Sequence, residues 1–126
     1  MILSDKPKDI CVLRLSAIGD VCHAVAVVQA IQSHYPESKI TWVIGKVEAA
    51  LLKGLSGVSF VVFDKSQGKL AYQKIKREFQ NTTFDVLLHM QVALRANLVA
   101  RCIPAKVKIG FDWQRAKEGH SLFVNK

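Results

Sequence analysis

Ile10, Val12, Leu13 and Leu15 form a short apolar run of the kind made by a strand buried on both faces of a parallel sheet. From Asp20 the apolar period lengthens. Val21, Val25, Val28 and Ile31 recur at helical spacing, Ala24 and Val27 widen that stripe, and Gln29, Gln32 and Ser33 occupy the other side. A strand, a tight Ser16-Ala17-Ile18-Gly19-Asp20 turn and an amphipathic helix therefore follow one another. Tyr35-Pro36 ends the helix, because the residue before a proline is pushed out of helical geometry. Lys39 to Ile44, rich in β-branched and aromatic side chains, predicts a second strand, and Gly45 ends it.

The alternation continues along the chain. Val47, Leu51 and Leu55 set a helical stripe, closed by Gly54 and Gly57. Val58 to Phe63 reads as a third strand, and Leu70 to Phe79 as an exposed helix with Leu70, Ile75 and Phe79 turned inward. Phe84 to His89 predicts a fourth strand and Val92 to Cys102 a helix, with Leu94, Leu98 and Cys102 on its common face and Ile103-Pro104 as its stop. Lys106 to Gly110 alternates charged and apolar side chains, the pattern of an outer strand, and residues 111–126 show no clear period. Repeated alternation of this kind calls for an α/β fold: one domain over residues 1–126, a Rossmann-like parallel sheet sandwiched by helices, with strand order 3-2-1-4-5. In that order the switch point falls beside the first strand. The Ser16 to Asp20 turn and the segment after His89 then border one crevice at the carboxyl edge, where such sheets place ligands.

Composition adds little to the fold but bounds the function. No stretch reaches the ~20 uninterrupted apolar residues of a membrane-spanning helix, and the first residues lack the order of a secretory signal, so a soluble, cytoplasmic protein is expected. Cys11, Cys22 and Cys102 are widely spaced and expected to be small buried hydrophobes; with four dispersed histidines, no metal site is expected. Charge is more informative. The net charge is +8, and it is uneven: residues 1–46 hold five Lys/Arg against four Asp/Glu, residues 47–126 thirteen against six. Such a bias suits an anionic partner, whether nucleic acid, a phospholipid surface, or a phosphorylated or carboxylated ligand.

Ser16-x-x-Gly19-Asp20 lacks the glycines of a dinucleotide fingerprint and the Gly-Lys-Ser/Thr of a P-loop. It offers a carboxylate on a strand-to-helix turn, with Gly19 permitting close backbone approach. Two readings of Asp20 stand side by side: a catalytic carboxylate, or a first-turn acid favoured by capping and the helix dipole by a few tenths to ~1 kcal/mol. Arg14 either reaches the crevice or snorkels to the surface. His89 and Gln91, at the end of the fourth strand, suit ligand contact and a satisfied polar role equally.

The run Val12-Leu13-Arg14-Leu15-Ser16-Ala17-Ile18-Gly19-Asp20-Val21, with Tyr35-Pro36 and Ile40-Thr41-Trp42-Val43 after the helix, closely resembles the N-terminus of the ADP-heptose:lipopolysaccharide heptosyltransferases. A second match is Ile109-Gly110-Phe111-Asp112-Trp113, with Arg115-Ala116-Lys117-Glu118-Gly119 and Leu122-Phe123, similar to the segment near the end of that family's N-terminal domain. Ala26 departs from the pattern, standing where family members usually have a proline. The resemblance implies the GT-B architecture, two Rossmann-like domains facing across a cleft, of which this chain is the N-terminal, acceptor-binding half. ADP recognition would reside in a C-terminal domain outside these residues, and the fragment alone should not turn over.

By the same resemblance Asp20 is the general base of an inverting transfer of heptose from ADP-heptose to the Kdo/heptose inner core of lipopolysaccharide, with no metal or cofactor implied. The acceptor, a Kdo-bearing lipid A, carries carboxylates and phosphates that Arg and Lys suit. Ser16, Gly19, Lys65, Lys69, Gln91, Arg95, Arg115 and Lys117 are the expected acceptor-binding residues. A membrane-embedded acceptor fits a basic protein docked peripherally on the inner face of the bacterial inner membrane. The alternative is a non-catalytic basic module for nucleic acid or an anionic surface. Nucleic acid is not the expected partner, because aromatics are not interleaved with the basic groups and no groove-reading motif is present.

Overall fold

The computed structural model describes residues 8–16, 18–91, 93–111 and 122–125. The first apolar run forms β1 (Asp9–Leu13), followed by α1 (Ile18–His34), β2 (Lys39–Gly45), α2 (Lys46–Leu52) and β3 (Val58–Phe63). A single 3-10 turn, Lys65–Gln67, leads into α3 (Lys69–Glu78), then β4 (Phe84–His89), α4 (Leu94–Arg101), β5 (Ala105–Phe111) and β6 (Leu122–Asn125). The sheet runs β3-β2-β1-β4-β5-β6. Its first five strands are parallel in the expected order, and β6 pairs antiparallel with β5, Ile109 opposite Val124. β5 is therefore not the outer strand: the segment without a clear period contains the edge, a strand too short to announce itself by alternation.

Alternate side chains of β1 feed the two sides of the sheet. Cys11 and Leu13 pack with Val43, Leu87, Ile75 and Val99 beneath α3 and α4. Ile10 and Val12 pack with Trp42, Ile44, Leu88 and Val28 beneath α1. Burial on both sides is why β1 reads as a continuous apolar run. Among the described residues no helix is long and apolar enough to cross a membrane.

Three helices turn a different side inward from the one their leucines mark. In α2, Val47 and Leu51 are 64% and 61% exposed, and Ala49 and Leu52 pack on the core. In α3 and at its end, Ile75 and Phe79 are buried as expected, together with Ala71, and Leu70 alone of the expected set is half exposed. In α4, Leu94 and Leu98 face solvent and Ala96, Val99 and Ala100 are buried. The buried sides of α3 and α4 carry alanine beside a single β-branched residue, Ile75 or Val99, which lets each helix approach the sheet closely, and their leucines are left outside. Cys22 also departs from expectation, being exposed on α1, whereas Cys11 and Cys102 are buried. β1 ends at Leu13 rather than Leu15, and α1 begins at Ile18 rather than Asp20, so Gly19 lies inside the first helical turn.

The inward sides make a direct test. Ile75→Ala, at a side chain 1% exposed, is expected to cost about 2–5 kcal/mol, whereas Leu51→Ala is expected to stay within about 0.5 kcal/mol. Denaturant midpoints of the two variants measure the difference; equal losses would mean that α2 buries Leu51 after all.

Candidate functional site at the switch point

β1 is central, paired with β2 on one side and β4 on the other, so Leu13 stands in register with both Val43 and His89. From this level the chain leaves the sheet, and the backbone after β1 is held by both neighbours. Arg14 N–H donates to the Val43 carbonyl at 3.2 Å, and Met90 N–H donates to the Leu13 carbonyl at 3.0 Å. The Gln91 side-chain oxygen accepts from the amides of Leu15 at 2.7 Å and Ser16 at 3.3 Å. Trp42, fully buried, donates its indole N–H to the Arg14 carbonyl at 3.1 Å. Gly45 closes the far side: its N–H donates to the Leu15 carbonyl at 3.0 Å, and a Cβ there would lie 2.6 Å from that oxygen. Only glycine lets the end of β2 come so near the turn.

Arg14 points to the α1 side of the sheet. Its guanidinium donates through one terminal nitrogen to the Met90 carbonyl and through the other pairs with Asp20 Oδ2 at 2.6 Å. The arginine side chain is 12% exposed and the aspartate 48%. Asp20 lies in the first turn of α1, where the helix dipole also favours an acid. With His23 and Met90 these two residues line a recess of about 10 Å³, room for about one water molecule. The described residues thus form one wall of a site rather than a closed pocket. Two larger clefts lie elsewhere. One of about 420 Å³ sits at the opposite edge, near Lys39, Ser59 and Thr82, and one of about 330 Å³ runs beside α4, and neither includes Asp20.

The expected site residues divide into four groups. Ser16, Gly19, Asp20 and Gln91 come together at the switch point, Gln91 through a structural hydrogen bond to the turn. Lys65 and Lys69 are exposed at the same edge, beyond β3; two strand spacings of about 4.8 Å put that strand about 10 Å from β1. Their loop is ordered by Asp64, whose carboxylate accepts from the Ser66 hydroxyl at 2.6 Å and its amide at 3.0 Å, bonds that hold its pKa below the usual range. Gly68, at φ +57°, supplies the bend between the two lysines. Arg95 is exposed in the first turn of α4, beside the end of β4. Arg115 and Lys117 lie outside the described residues.

Arg14 and Trp42 belong to the site's construction and were not among the expected site residues. A charged residue closing an apolar strand was the available signal for Arg14; Trp42 gave none beyond strand propensity. His89 is engaged on the other side of the sheet: its Nε2 lies 2.7 Å from Asn97 Oδ1, and burial pulls its pKa below the ordinary 6.5. His89 therefore serves the packing of α4 on β4.

Comparison with known proteins fits this fold. The profile of glycosyltransferase family 9 (heptosyltransferase) matches residues 72–126. The lipopolysaccharide core heptosyltransferase OpsX of Haemophilus influenzae is 45% identical over 125 residues, covering 99% of this chain and 36% of OpsX. The chain thus spans about a third of that relative's length. A glycosyl transferase family 9 structure from Veillonella parvula superposes with a TM-score of 0.72 at 22% identity, covering 80% of this chain and 31% of its own. E. coli heptosyltransferase WaaC with ADP gives 0.69, also at 22% identity, covering 84% and 36%. At that identity the superpositions speak to the fold.

Two measurements test the site's construction. Gln91→Ala removes the acceptor of two part-buried amides and is expected to cost about 1–3 kcal/mol, with faster hydrogen exchange at Leu15 and Ser16; unchanged exchange there would show that the clamp is not needed. For His89, the folded pKa lies below the unfolded one, so the unfolded chain binds the extra proton as pH falls through 6.5. Its contribution is complete above that pH and is lost on acidification, and His89→Asn should flatten the stability profile between about pH 7.5 and 5.5.

Proposed function

From the match to the glycosyltransferase family 9 (heptosyltransferase) profile over residues 72–126 and the 45% identity to OpsX, we propose that this chain is the N-terminal, acceptor-side domain of a GT-B enzyme of that family that transfers heptose from ADP-heptose to the inner core of lipopolysaccharide. The observation that carries this reading is the Asp20 carboxylate, held 2.6 Å from Arg14 yet about half exposed at the carboxyl edge of the central strand. In the transfer, an acceptor hydroxyl oxygen bonds to the anomeric carbon of the heptose as the bond from that carbon to ADP breaks on the opposite face. Configuration inverts, ADP leaves with the bonding electron pair, and Asp20 takes the hydroxyl proton. A carboxylate suits this step because it is ionised at neutral pH and needs to accept the proton only as the attacking oxygen becomes acidic.

Arg14 is a positioning residue in this scheme. Anchored to Met90 and nearly buried, it fixes where the carboxylate stands before the acceptor arrives. Ser16, Gly19 and Gln91 shape the approach of the acceptor hydroxyl. Lys65, Lys69 and Arg95, with Arg115 and Lys117, take the carboxylates and phosphates of a Kdo-bearing lipid A; a separation of about 10 Å between strands β1 and β3 suits contacts to a neighbouring sugar rather than to the reacting one. ADP-heptose is held mainly by the C-terminal domain of the enzyme, and the protein works on the cytoplasmic side of the inner membrane as a peripheral protein.

Asp20→Asn keeps an oxygen to accept from Arg14 but removes the base. In the intact enzyme it is expected to lower kcat by about 10²- to 10⁴-fold with the acceptor KM little changed. Rate measurements at saturating donor check this, with the thermal transition as control for folding; near-normal turnover would remove Asp20 from the mechanism.

A further inference from the structure

The two sides of the sheet carry unequal coats of charge. On one side α1 and α2 together hold a single Lys, Lys46, against Asp20 and Glu48. On the other, α3 holds Lys69, Lys74, Lys76 and Arg77 against Glu78, and α4 holds Arg95 and Arg101 with no acid. All of these α3 and α4 charges are exposed. The same two helices also leave leucines outside: Leu70 is 50% exposed, Leu94 75% and Leu98 37%.

Spacing turns these residues into a pattern. Leu70, Lys74 and Arg77 stand at i, i+4 and i+7 along α3, and Leu94, Leu98 and Arg101 stand at the same intervals along α4. Each set is one stripe of its helix. In both stripes the leucine comes at the helix start, which is the carboxyl edge of the sheet, and the cation comes toward the other end. The two helices lie on the same side of the sheet and touch one another.

We propose that the outer side of α3 and α4 is a docking surface for an anionic lipid bilayer, with Leu70, Leu94 and Leu98 entering the interface and Lys74, Lys76, Arg77 and Arg101 lying against the headgroups. It rests on the reading that this domain takes a lipid-borne acceptor, and it names the surface by which the domain reaches it. The occupant must satisfy both halves of each stripe. A nucleic acid offers phosphates to the cations but nothing to leucines, and the aromatic rings of these helices, Tyr72 and Phe79 next to α3, pack inward on Phe63 and Phe84 rather than standing out to stack on bases. An anionic bilayer offers phosphates and an apolar interior at adjacent depths. Because both helices begin at the carboxyl edge, their leucine ends lie on the same rim as Lys65, Lys69 and Arg95. Docking by this side brings the acceptor crevice to headgroup level.

The test is sedimentation of the intact protein with vesicles of phosphatidylcholine and phosphatidylglycerol (3:1), and with phosphatidylcholine alone. Binding is expected to the anionic vesicles only, and to weaken with salt. The triple substitution Lys74→Ala, Lys76→Ala, Arg77→Ala should weaken it about 100-fold, near fivefold per cation. The pair Leu94→Ser, Leu98→Ser should weaken it at least tenfold, with thermal transitions unchanged in both variants. Vesicle binding that survives both sets of substitutions overturns the docking surface, as does a preference for random-sequence RNA over anionic vesicles. Vesicle binding is measured without donor or acceptor, so it can fail while Asp20-dependent transfer to a water-soluble, deacylated acceptor stands, and the reverse.

Discussion

The arrangement depends most on how the chain is held as it leaves β1. Over three residues, Arg14 to Ser16, the backbone is bonded to β2 through Val43, Trp42 and Gly45 and to the end of β4 through Gln91. The Arg14 side chain adds the Met90 carbonyl and Asp20 in α1. Two neighbouring strands and the first helix therefore meet on one short segment. With its side chain only 12% exposed, Arg14 has little water to take the place of the Met90 and Asp20 oxygens, so its guanidinium is held to them. The pair thus fixes the start of α1 against the sheet, and the position of the Asp20 carboxylate follows.

The same economy shapes the layers around the sheet. Helices that approach closely do so on alanine, at Ala24, Ala71, Ala96 and Ala100, and strands supply the bulk through Trp42, Ile44, Leu13 and Leu87. This leaves the outward residues of α3 and α4 free of packing duty, so their leucines and cations are not explained by the stability of the domain. On the α1 side the coat is nearly neutral. A sheet needs cover on both sides but does not need the covers to differ in charge, and that difference is what directs attention to an anionic partner on one side.

Strand identity and order were legible because buried parallel strands need apolar runs and the connections between them are short; β4 was read to the residue, Phe84 to His89. The inward face of α1 was legible too, with Val21, Ala24, Val28 and Ile31 buried, but that of α4 was not, since Leu94 and Leu98 outweigh Ala96 and Ala100 in any hydropathy pattern, whereas close packing favours the small residues. β6 escaped because four residues paired at an edge leave no periodic trace. At the site, the turn and Asp20 could be read from the strand-to-helix pattern, and the family resemblance from two matched motifs. Arg14 as the aspartate's partner could not, because a strand ending in arginine looks the same whether the side chain turns to solvent or folds back on a helix. Gln91 was placed in the crevice, but its hold on the Leu15 and Ser16 amides is a contact across 76 and 75 positions of chain that no local pattern records.

The two readings of Asp20 are not exclusive, and the geometry explains why both arise. A first-turn acid is stabilised by the helix dipole whether or not it does chemistry, and pairing with Arg14 adds to that. A purely structural pair would be served as well by burying both partners. Here the arginine is nearly buried and anchored while the aspartate keeps about half its surface open. A general base needs a fixed position and an open approach together, and a residue held only by its own rotamers would have the second without the first. The asymmetry of burial within the pair is thus what capping leaves unaccounted for and what proton transfer to Asp20 requires.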